Sequence, residues 1–450
     1  MKQLSKKWRM LVGVVLLSAM SAATAFAQDT LTLSLEQAIE IALSESPTIR
    51  IADREIERVD YSKKSAWYGL LPTLDGTGQY AKYMVPGQMS MMGQVMNSPT
   101  DYNASLGLQL ALPLVAPSLW KSIQLSELEM QMAVEKSRAS KITLRNDVTK
   151  AYYSILLAQD SYNVLEEGYK IAKDNYDEAK KRFEVGLSAE YDYISAEVQM
   201  TNLMPNLLQV KNGISQAKMY LKVLIGMDVS VPLSVVGNLA DFENEVALRS
   251  AEPEMGLVNN TDLKQLDIQR SQLDKSFEIQ RSLRMPTLAF FSQYGYSGMG
   301  NNATTMNLGG MPIEVEKSSA WYSQGMLIGL TLNIPIFHIT DIIKEKQIKI
   351  QSNQLQIQRE YLENSLNFQI RTSIDNMNKT VEQVNAAKIA IAGAQKAYTI
   401  STKRYEVGVG TMLELQNAAL AVTQSQLSYR QAISDFLTAK ADLDKVLGNE

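Results

Sequence analysis

The stretch RFEVG at residues 182–186 recurs as RYEVG at residues 404–408, an offset of 222 positions. The same offset relates the Leu-Ile-Gly sequence at 224–226 to the Val-Leu-Gly sequence at 446–448. Coincidence does not hold one register over such a distance, so the chain contains two copies of one unit.

Nearer the start the offset is 214, since LPTL at 71–74 recurs as MPTL at 285–288. The change of eight residues falls between Tyr80 and Leu106, so one loop is longer in the second copy. This register predicts the organisation of the chain. Residues 28–226 form a first repeat, 227–252 a linking segment and 253–450 a second repeat.

The first 27 residues are predicted to be a signal peptide. Four basic residues precede an apolar run at 10–20, and Ala25-Phe26-Ala27 supplies a cleavage pattern of small residues. The apolar run is too short for a permanent membrane helix. The chain is therefore expected to be exported, with a mature form that begins near Gln28.

Composition excludes several classes of function. Loss of the four basic residues leaves 40 Lys and Arg against 48 Asp and Glu, and no basic cluster suggests a nucleic-acid partner. The chain has no cysteine for a disulfide or a thiolate metal site. No later stretch is apolar over eighteen residues, so an exported chain is either soluble or a membrane β-barrel.

Both repeats predict the same order of elements. A first helix, at about 48–70 and 261–283, ends at a proline that prevents its continuation. A strand, a loop and a second strand follow. A very long helix then begins at Ser118 or Thr340 and ends at the Val-Gly turn, where glycine permits a helix stop. A second helix returns to Ile225 or Leu447.

The strands alternate apolar residues with small or polar ones, which is typical of strands between lipid and a wet lumen. A half-buried strand of a soluble sandwich alternates too, and Trp120 and Trp321 near the strand ends favour the membrane. One face carries Tyr102, Ala104, Leu106, Leu108, Leu110 and Leu112, and in the second copy Tyr322, Met326, Ile328, Leu330 and Leu332. The other carries Asn103, Ser105, Gly107, Gln109 and Ala111, and then Ser323, Gly325, Gly329, Thr331 and Asn333.

Four strands cannot close a barrel, since about eight is the smallest workable number. Open strand edges are not tolerated in lipid. We therefore expect an α+β membrane protein whose chains share one barrel, of eight strands in a dimer or twelve in a trimer.

The long helix of the first copy covers residues 118–184 and would extend roughly 100 Å at about 1.5 Å per residue. Its apolar residues repeat with heptad spacing from Val148 to Phe183, and those of the second copy from Ile370 to Tyr405, which indicates coiled-coil packing. A structural coiled-coil stalk without transport is the alternative to a tunnel wall. Such rods, attached to strands in an outer membrane, reach into the periplasm.

The doubled order of elements, the paired Val-Gly turns and the start LSLEQA at 33–38 resemble the TolC family of outer-membrane efflux proteins. The resemblance implies a homotrimer in the bacterial outer membrane, with a shared twelve-stranded β-barrel, four strands per chain. This barrel continues into a long α-helical periplasmic barrel with a mixed equatorial segment. It implies a passive exit duct of a tripartite efflux or type I secretion system. The implied partners are a periplasmic adaptor and an inner-membrane pump of RND, ABC or MFS type.

The resemblance also implies a constriction just beyond the turns. The family pattern places Glu414 at its first acidic position, Asn417 at its second and Asp192 in the first copy. A ring of Glu414 carboxylates would favour cations, whereas a solvated acid in the first turn of a helix is the simpler interpretation. Gly410 stands where the family has a basic residue, so a closing lock would depend on Tyr405 with Asp192.

The turns themselves are the expected docking points for the adaptor. These residues are Val185, Gly186, Val407 and Gly408.

No catalytic constellation is visible, and neither an enzyme activity nor a cofactor is expected. His338 is the single histidine, so a catalytic triad or a histidine metal site has no basis. Methionines at 84, 89, 91, 92 and 96 and at 299, 306 and 311 cluster in the outer loops. Thioethers suit copper(I), although loop packing explains them equally well.

Overall fold

The computed structural model describes residues 31–85, 87–91, 94–98, 100–248, 256–308 and 311–449. The predicted signal peptide, residues 1–27, lies outside these ranges, as does the predicted boundary between residues 252 and 253. Within the described ranges, no helix combines the length and the apolar character that crossing a bilayer requires.

The described residues form two compact units, each built from both halves of the chain. Of the described residues, one unit takes those within 31–53, 137–248, 256–261 and 363–449, and the other takes those within 54–136 and 262–362. Three helix segments thus alternate with two sheet-bearing segments along the chain.

The second unit contains a four-stranded antiparallel sheet with the order β10-β7-β5-β2. The sequence predicted only loops between the paired strands, whereas each loop contains a short antiparallel hairpin, β3-β4 or β8-β9. The strands of the large sheet are β2 (Thr73–Lys82), β5 (Thr100–Val115), β7 (Thr287–Asn301) and β10 (Ser318–Asn333). The hairpin strands are β3 (Gln88–Met91), β4 (Gln94–Asn97), β8 (Thr304–Leu308) and β9 (Met311–Val315).

A bulge in β10 corrects the predicted alternation of that strand. The register shifts between Ser323 and Gly325, where Gly325 has a φ of 76°. One extra residue moves all earlier positions to the opposite face. Tyr322 therefore does not share the face of Met326, as the sequence predicted, and Trp321 does.

The helices described here are given by their residues. They are α1 (Leu35–Glu45), α2 (Pro47–Tyr68), α3 (Pro117–Glu184), α4 (Glu190–Ile225), α5 (Glu243–Leu248), α6 (Thr261–Ser282), α7 (Ile339–Glu406) and α8 (Met412–Leu447). The two long helices α3 and α7 have 68 residues each, and the two return helices α4 and α8 have 36 each.

For the long helices, the predicted C-terminal ends match the structure more closely than the predicted starts. α3 and α7 end at the predicted turns, and α4 and α8 end at Ile225 and Leu447. Both long helices begin one residue before the predicted cap, so Ser118 lies inside the first turn of α3. Proline is well suited to the first helical position, because an N–H group there would have no acceptor within the helix and its absence costs nothing. α4 continues through Pro205 without interruption.

In the second unit, α6 lies between α3 and α7 and is tied to each by an ion pair. Glu278 of α6 lies 2.8 Å from Lys121 of α3, and Asp267 of α6 lies 2.8 Å from Arg359 of α7.

The core of the first unit is formed by the long helices and a small parallel ladder. The ladder pairs β1 (Leu31–Leu33) with β6 (Leu233–Val235). Tyr152 of α3 lies beneath it, and its hydroxyl group contacts the carbonyl oxygens of Leu33, at 3.2 Å, and Val236. The large side chains that are fully buried here include Tyr152, Ile155, Leu156, Leu221, Leu239, Ile433, Phe436 and Leu437.

The predicted heptad seams face the core of this unit over much of their length. The buried members are Val148, Ala151, Ile155, Leu165, Ala172 and Ala179 of α3, and Ile370, Met377, Thr380, Val384, Ala387 and Tyr405 of α7. The prediction that this side of each helix is covered is thus confirmed for these residues.

The segment at 227–248, which follows α4, is attached to three of the helices. The N–H of Leu239 donates to Asp160 of α3 at 3.3 Å. Glu243 pairs with Lys388 of α7 and accepts from the hydroxyl group of Tyr429 of α8. These contacts lie around the middle of the segment, where Leu239 is fully buried.

Candidate gate at the hairpin turns

Both helical hairpins of the first unit turn through the same backbone geometry. Gly186 has a φ of 75° and Gly408 a φ of 77°, the left-handed region that favours glycine. In the first turn the N–H of Leu187 donates to the carbonyl of Arg182 at 2.8 Å, and in the second the N–H of Val409 donates to that of Arg404 at 3.0 Å. Each glycine thus closes its helix with the same pattern of hydrogen bonds.

Large apolar side chains project from these turns into solvent. Val185 is 69% exposed and Val407 is 72% exposed, and Leu187 and Val409 are equally open. Apolar surface of this kind on a tight turn is available to a partner protein.

Tyr405 is held inside the second hairpin end rather than at its surface. It is buried against Ala179, Ala196, Met412 and Leu415. Burial raises the pKa of the Tyr405 hydroxyl, while the nearby Arg182 guanidinium acts in the opposite direction. Tyr405 therefore remains a neutral phenol at physiological pH.

The residue packed on the Tyr405 ring is Arg182, which the sequence did not single out. Its guanidinium carbon lies 4.8 Å from the ring centroid. Asp192, the predicted partner of Tyr405, lies near enough for its charge to help raise the pKa of the tyrosine. The hydroxyl group of Ser188 donates to Asp192 at 3.4 Å, so this acid is oriented by its own turn.

Glu414 lies exposed in the first turn of α8. Its N–H donates to Thr411 Oγ1 at 3.2 Å, and Thr411 thereby caps the helix. The Glu414 carboxylate lies 3.7 Å from the guanidinium of Arg404. Asn417 is also exposed, three residues further along the helix and so on the same side of it.

A polar pair lies beside Asn417, with one member half-buried and the other buried. Ser195 Oγ donates to Gln416 Oε1 at 3.1 Å, and Gln416 is only 7% exposed. Within the described residues, Gln416 Nε2 has no partner. It borders a cavity of about 20 Å³ between α3, α4 and α8, which has room for one water molecule.

The described residues contain no group of three or more His, Cys, Asp or Glu side chains placed to hold a metal ion. His338 Nδ1 lies 3.4 Å from Asp341 Oδ2 at the start of α7. Met92 lies outside the described residues, so the copper hypothesis for the outer loops stays untested.

Comparison with known proteins relates the chain to channels of one kind. The sequence profile of the family described as "Outer membrane efflux protein" matches residues 38–227 and 253–449. Outer membrane protein TolC of Vibrio cholerae is 21% identical over 352 residues, which cover 76% of this chain and 76% of the relative. The toluene efflux pump outer membrane protein TtgC of Pseudomonas putida is 24% identical over 428 residues, covering 92% and 83%.

Solved structures share the fold. The CusC transmembrane channel superposes with a TM-score of 0.73 at 16% identity, covering 94% of this chain and 93% of that one. The CmeC outer membrane channel of Campylobacter jejuni superposes with a TM-score of 0.71 at 16% identity, covering 92% and 85%.

Proposed function

Because this chain belongs to the outer membrane efflux protein family, it is an outer-membrane channel, and we propose that it is the passive exit duct of a tripartite efflux or type I secretion system. The pump and the adaptor supply energy and substrate choice in such a system. The duct supplies a continuous path from periplasm to exterior.

The observation that carries the proposal is the four-stranded sheet of the second unit. Its end strands, β2 and β10, each have one neighbour within the described part of the chain. One face of the sheet presents exposed apolar side chains, among them Leu106 and Leu330 at 61% and 63% exposure. Lipid would cover this face, and a strand edge in lipid requires a partner strand.

Three chains would satisfy that requirement, as the resemblance to the family implies. A homotrimer would contribute twelve strands to one closed barrel, and its long helices would form a twelve-helix tunnel below it. The matched lengths of α3 with α7 and of α4 with α8 support an internal duplication, with repeats at 28–226 and 253–450 and an equatorial segment at 227–252. Residues 1–27 would direct export and then be removed.

The narrow end of the tunnel would lie at the hairpin turns. Glu414 and Asn417 of three chains would line the constriction, with Asp192 and Tyr405 behind them. The Glu414 side chain is 47% exposed beside Arg404, and this accessibility to a pore supports the role. Val185 and Val407, with Gly186 and Gly408 shaping the turns, would bind the adaptor through their exposed apolar side chains.

Planar bilayer recording of the purified trimer tests the proposal. A duct should give discrete single-channel conductances, and deletion of the gene should sensitise cells to the exported compounds. A structural coiled-coil protein without transport would give no conductance in bilayers in which a known porin inserts. That result, with an unaltered deletion strain, would reject the duct.

A further inference from the structure

Arg182 joins the two hairpin turns of one chain. It lies in the last turn of α3, and its Nη1 and Nη2 atoms donate to the carbonyl oxygens of Tyr405 and Glu406, both at 3.1 Å. These carbonyls end α7, where a helix has unsatisfied acceptors and the negative end of its dipole. The Tyr405 carbonyl already accepts from the Gly408 N–H at 3.1 Å, and the guanidinium adds a second donor to it, a donor to the Glu406 carbonyl and a positive charge.

Two further contacts fix the orientation of this side chain. Arg182 Nε donates to Glu178 Oε1 at 2.9 Å, one helical turn earlier. The guanidinium also packs on the Tyr405 ring, 4.8 Å from its centroid. All three nitrogen atoms are engaged, and the side chain is only 22% exposed. A lysine cannot reproduce this planar fork of donors.

The equivalent residue of the second copy has a different partner. Arg404 pairs with Glu414 of its own hairpin at 3.7 Å. Both side chains are about half exposed, at 51% and 47%. An exposed pair of this kind contributes little to stability. The duplicated arginines have therefore diverged, since one links two hairpins and the other stays within one.

We propose that Arg182 is a positioning residue that holds the second hairpin turn on the first, so that both turns of a chain keep one fixed spacing. Val185 and Val407 then form a single docking surface in two parts. The docking role of this surface rests on the proposed function, whereas the link between the turns does not.

The absence of cysteine allows a direct test. Spin labels on Cys substitutions at Val185 and Val407, which are exposed, report the spacing of the turns by pulsed dipolar spectroscopy. Labelled chains are assembled with excess unlabelled chains, so that distances within one chain dominate. The unaltered Arg182 should give one narrow distance distribution.

Arg182→Gln should increase the population outside the main distance peak about tenfold, because two charge-assisted hydrogen bonds are lost. Arg182→Lys keeps the charge and should recover only part of the narrow distribution. Arg404→Gln is the matched control and should leave the distribution unchanged. Trimers of each variant are checked by size-exclusion chromatography and circular dichroism.

An unchanged distribution in folded Arg182→Gln would overturn the proposal, as would equal broadening in Arg404→Gln. If Arg182→Gln does not fold, broadening in Arg182→Lys supports the link and an unchanged distribution rejects it. The distance measurement does not depend on ion conduction. If the Arg182 variants behave as expected but the trimer shows no conductance, the link between the turns stands and only the proposed duct is rejected.

Discussion

Gly168 of α3 and Thr423 of α8 pack so closely that a Cβ atom added to Gly168 would lie 2.8 Å from Thr423 Oγ1. The threonine hydroxyl donates to the carbonyl of Ala419 at 3.3 Å within its own helix. Its orientation is therefore set, and it cannot easily yield to a larger neighbour. The missing side chain at residue 168 allows the two helices to approach beside the Gln416 cavity.

Gly168→Ala should lower the free energy of unfolding by about 1–3 kcal/mol, since the added methyl group overpacks the contact. Thr423→Ala in the same chain should restore most of the loss. Gly213→Ala in α4 is the control, because nothing lies within 4 Å of its added Cβ. It should raise stability by up to about 1 kcal/mol through helix propensity. Thermal unfolding followed by circular dichroism gives the comparison, and equal effects of the two alanines would contradict it.

Asp160 should make the protein less stable as the pH rises. Burial raises its pKa above the ordinary 3.8, against the opposing effects of Arg430 and of the Leu239 N–H. The folded state then holds the proton more tightly, so stability is highest below 3.8 and falls as pH increases through the raised pKa. Asp160→Asn should remove this dependence of stability on pH. The thermal midpoints of the variant and of the unaltered chain are measured from acid to neutral pH, and their difference at each pH gives the contribution of Asp160.

The same position offers a control for the hydrogen bond to Leu239. Asparagine keeps an oxygen that accepts from the Leu239 N–H, which lies 3.3 Å from Asp160. Asp160→Ala removes it and should lower the free energy of unfolding by about 1–3 kcal/mol relative to Asn. If the stability of Asp160→Asn depends on pH in the same way as that of the unaltered chain, a group other than Asp160 causes the dependence.

Tyr152→Phe should loosen the β1-β6 ladder. Burial raises the pKa of Tyr152, which keeps its hydroxyl group protonated and able to donate. Loss of the hydroxyl group leaves the carbonyl oxygens of buried Leu33 and of Val236 with one donor fewer, at about 1–2 kcal/mol. Hydrogen exchange of residues 31–33 and 233–235, read by mass spectrometry, should accelerate. Tyr162→Phe removes an exposed contact to Glu166 and should leave the exchange unchanged.

Glu414 and Arg404 should affect ion selectivity in opposite directions. Glu414→Gln removes the proposed ring of carboxylates and should lower the preference for cations. Arg404→Gln removes the guanidinium that lies 3.7 Å from Glu414, and should raise that preference. Reversal potentials in a salt gradient measure both. Identical potentials in all three channels would place Glu414 outside the constriction.

The sequence predicted the hairpin turns because they are encoded locally. A helix stop needs a glycine in the left-handed region, and Gly186 and Gly408 both have this conformation. The buried seam from Val148 to Ala179 was equally visible, since heptad spacing reports which side of a helix is covered.

The sequence did not predict the bulge in β10, because a glycine within a strand is consistent with either regular alternation or a bulge. Gly325 fits a row of small lumen residues, but an isolated glycine within a strand also suggests a bulge. The positive φ at Gly325 decides for the bulge. Helix α1 was missed as well, although Ser34 and Gln37 form a capping box that the sequence displays.

The contact from Arg182 to Tyr405 could not be predicted in this way. The two residues are 223 positions apart, and periodicity describes each helix without fixing how hairpins meet. The repeat even suggests that Arg182 and Arg404 are equivalent, whereas their partners differ.

The matched helix lengths restrict how such a chain can change in evolution. One residue inserted into α3 would rotate everything beyond it by about 100° and advance it by about 1.5 Å, which turns the buried seam away from its partners. α3 and α7 have 68 residues each, so a lengthening of one copy would have to be matched in the other. Single insertions and deletions are thus expected to survive mainly in the outer loops, where the two copies already differ by eight residues.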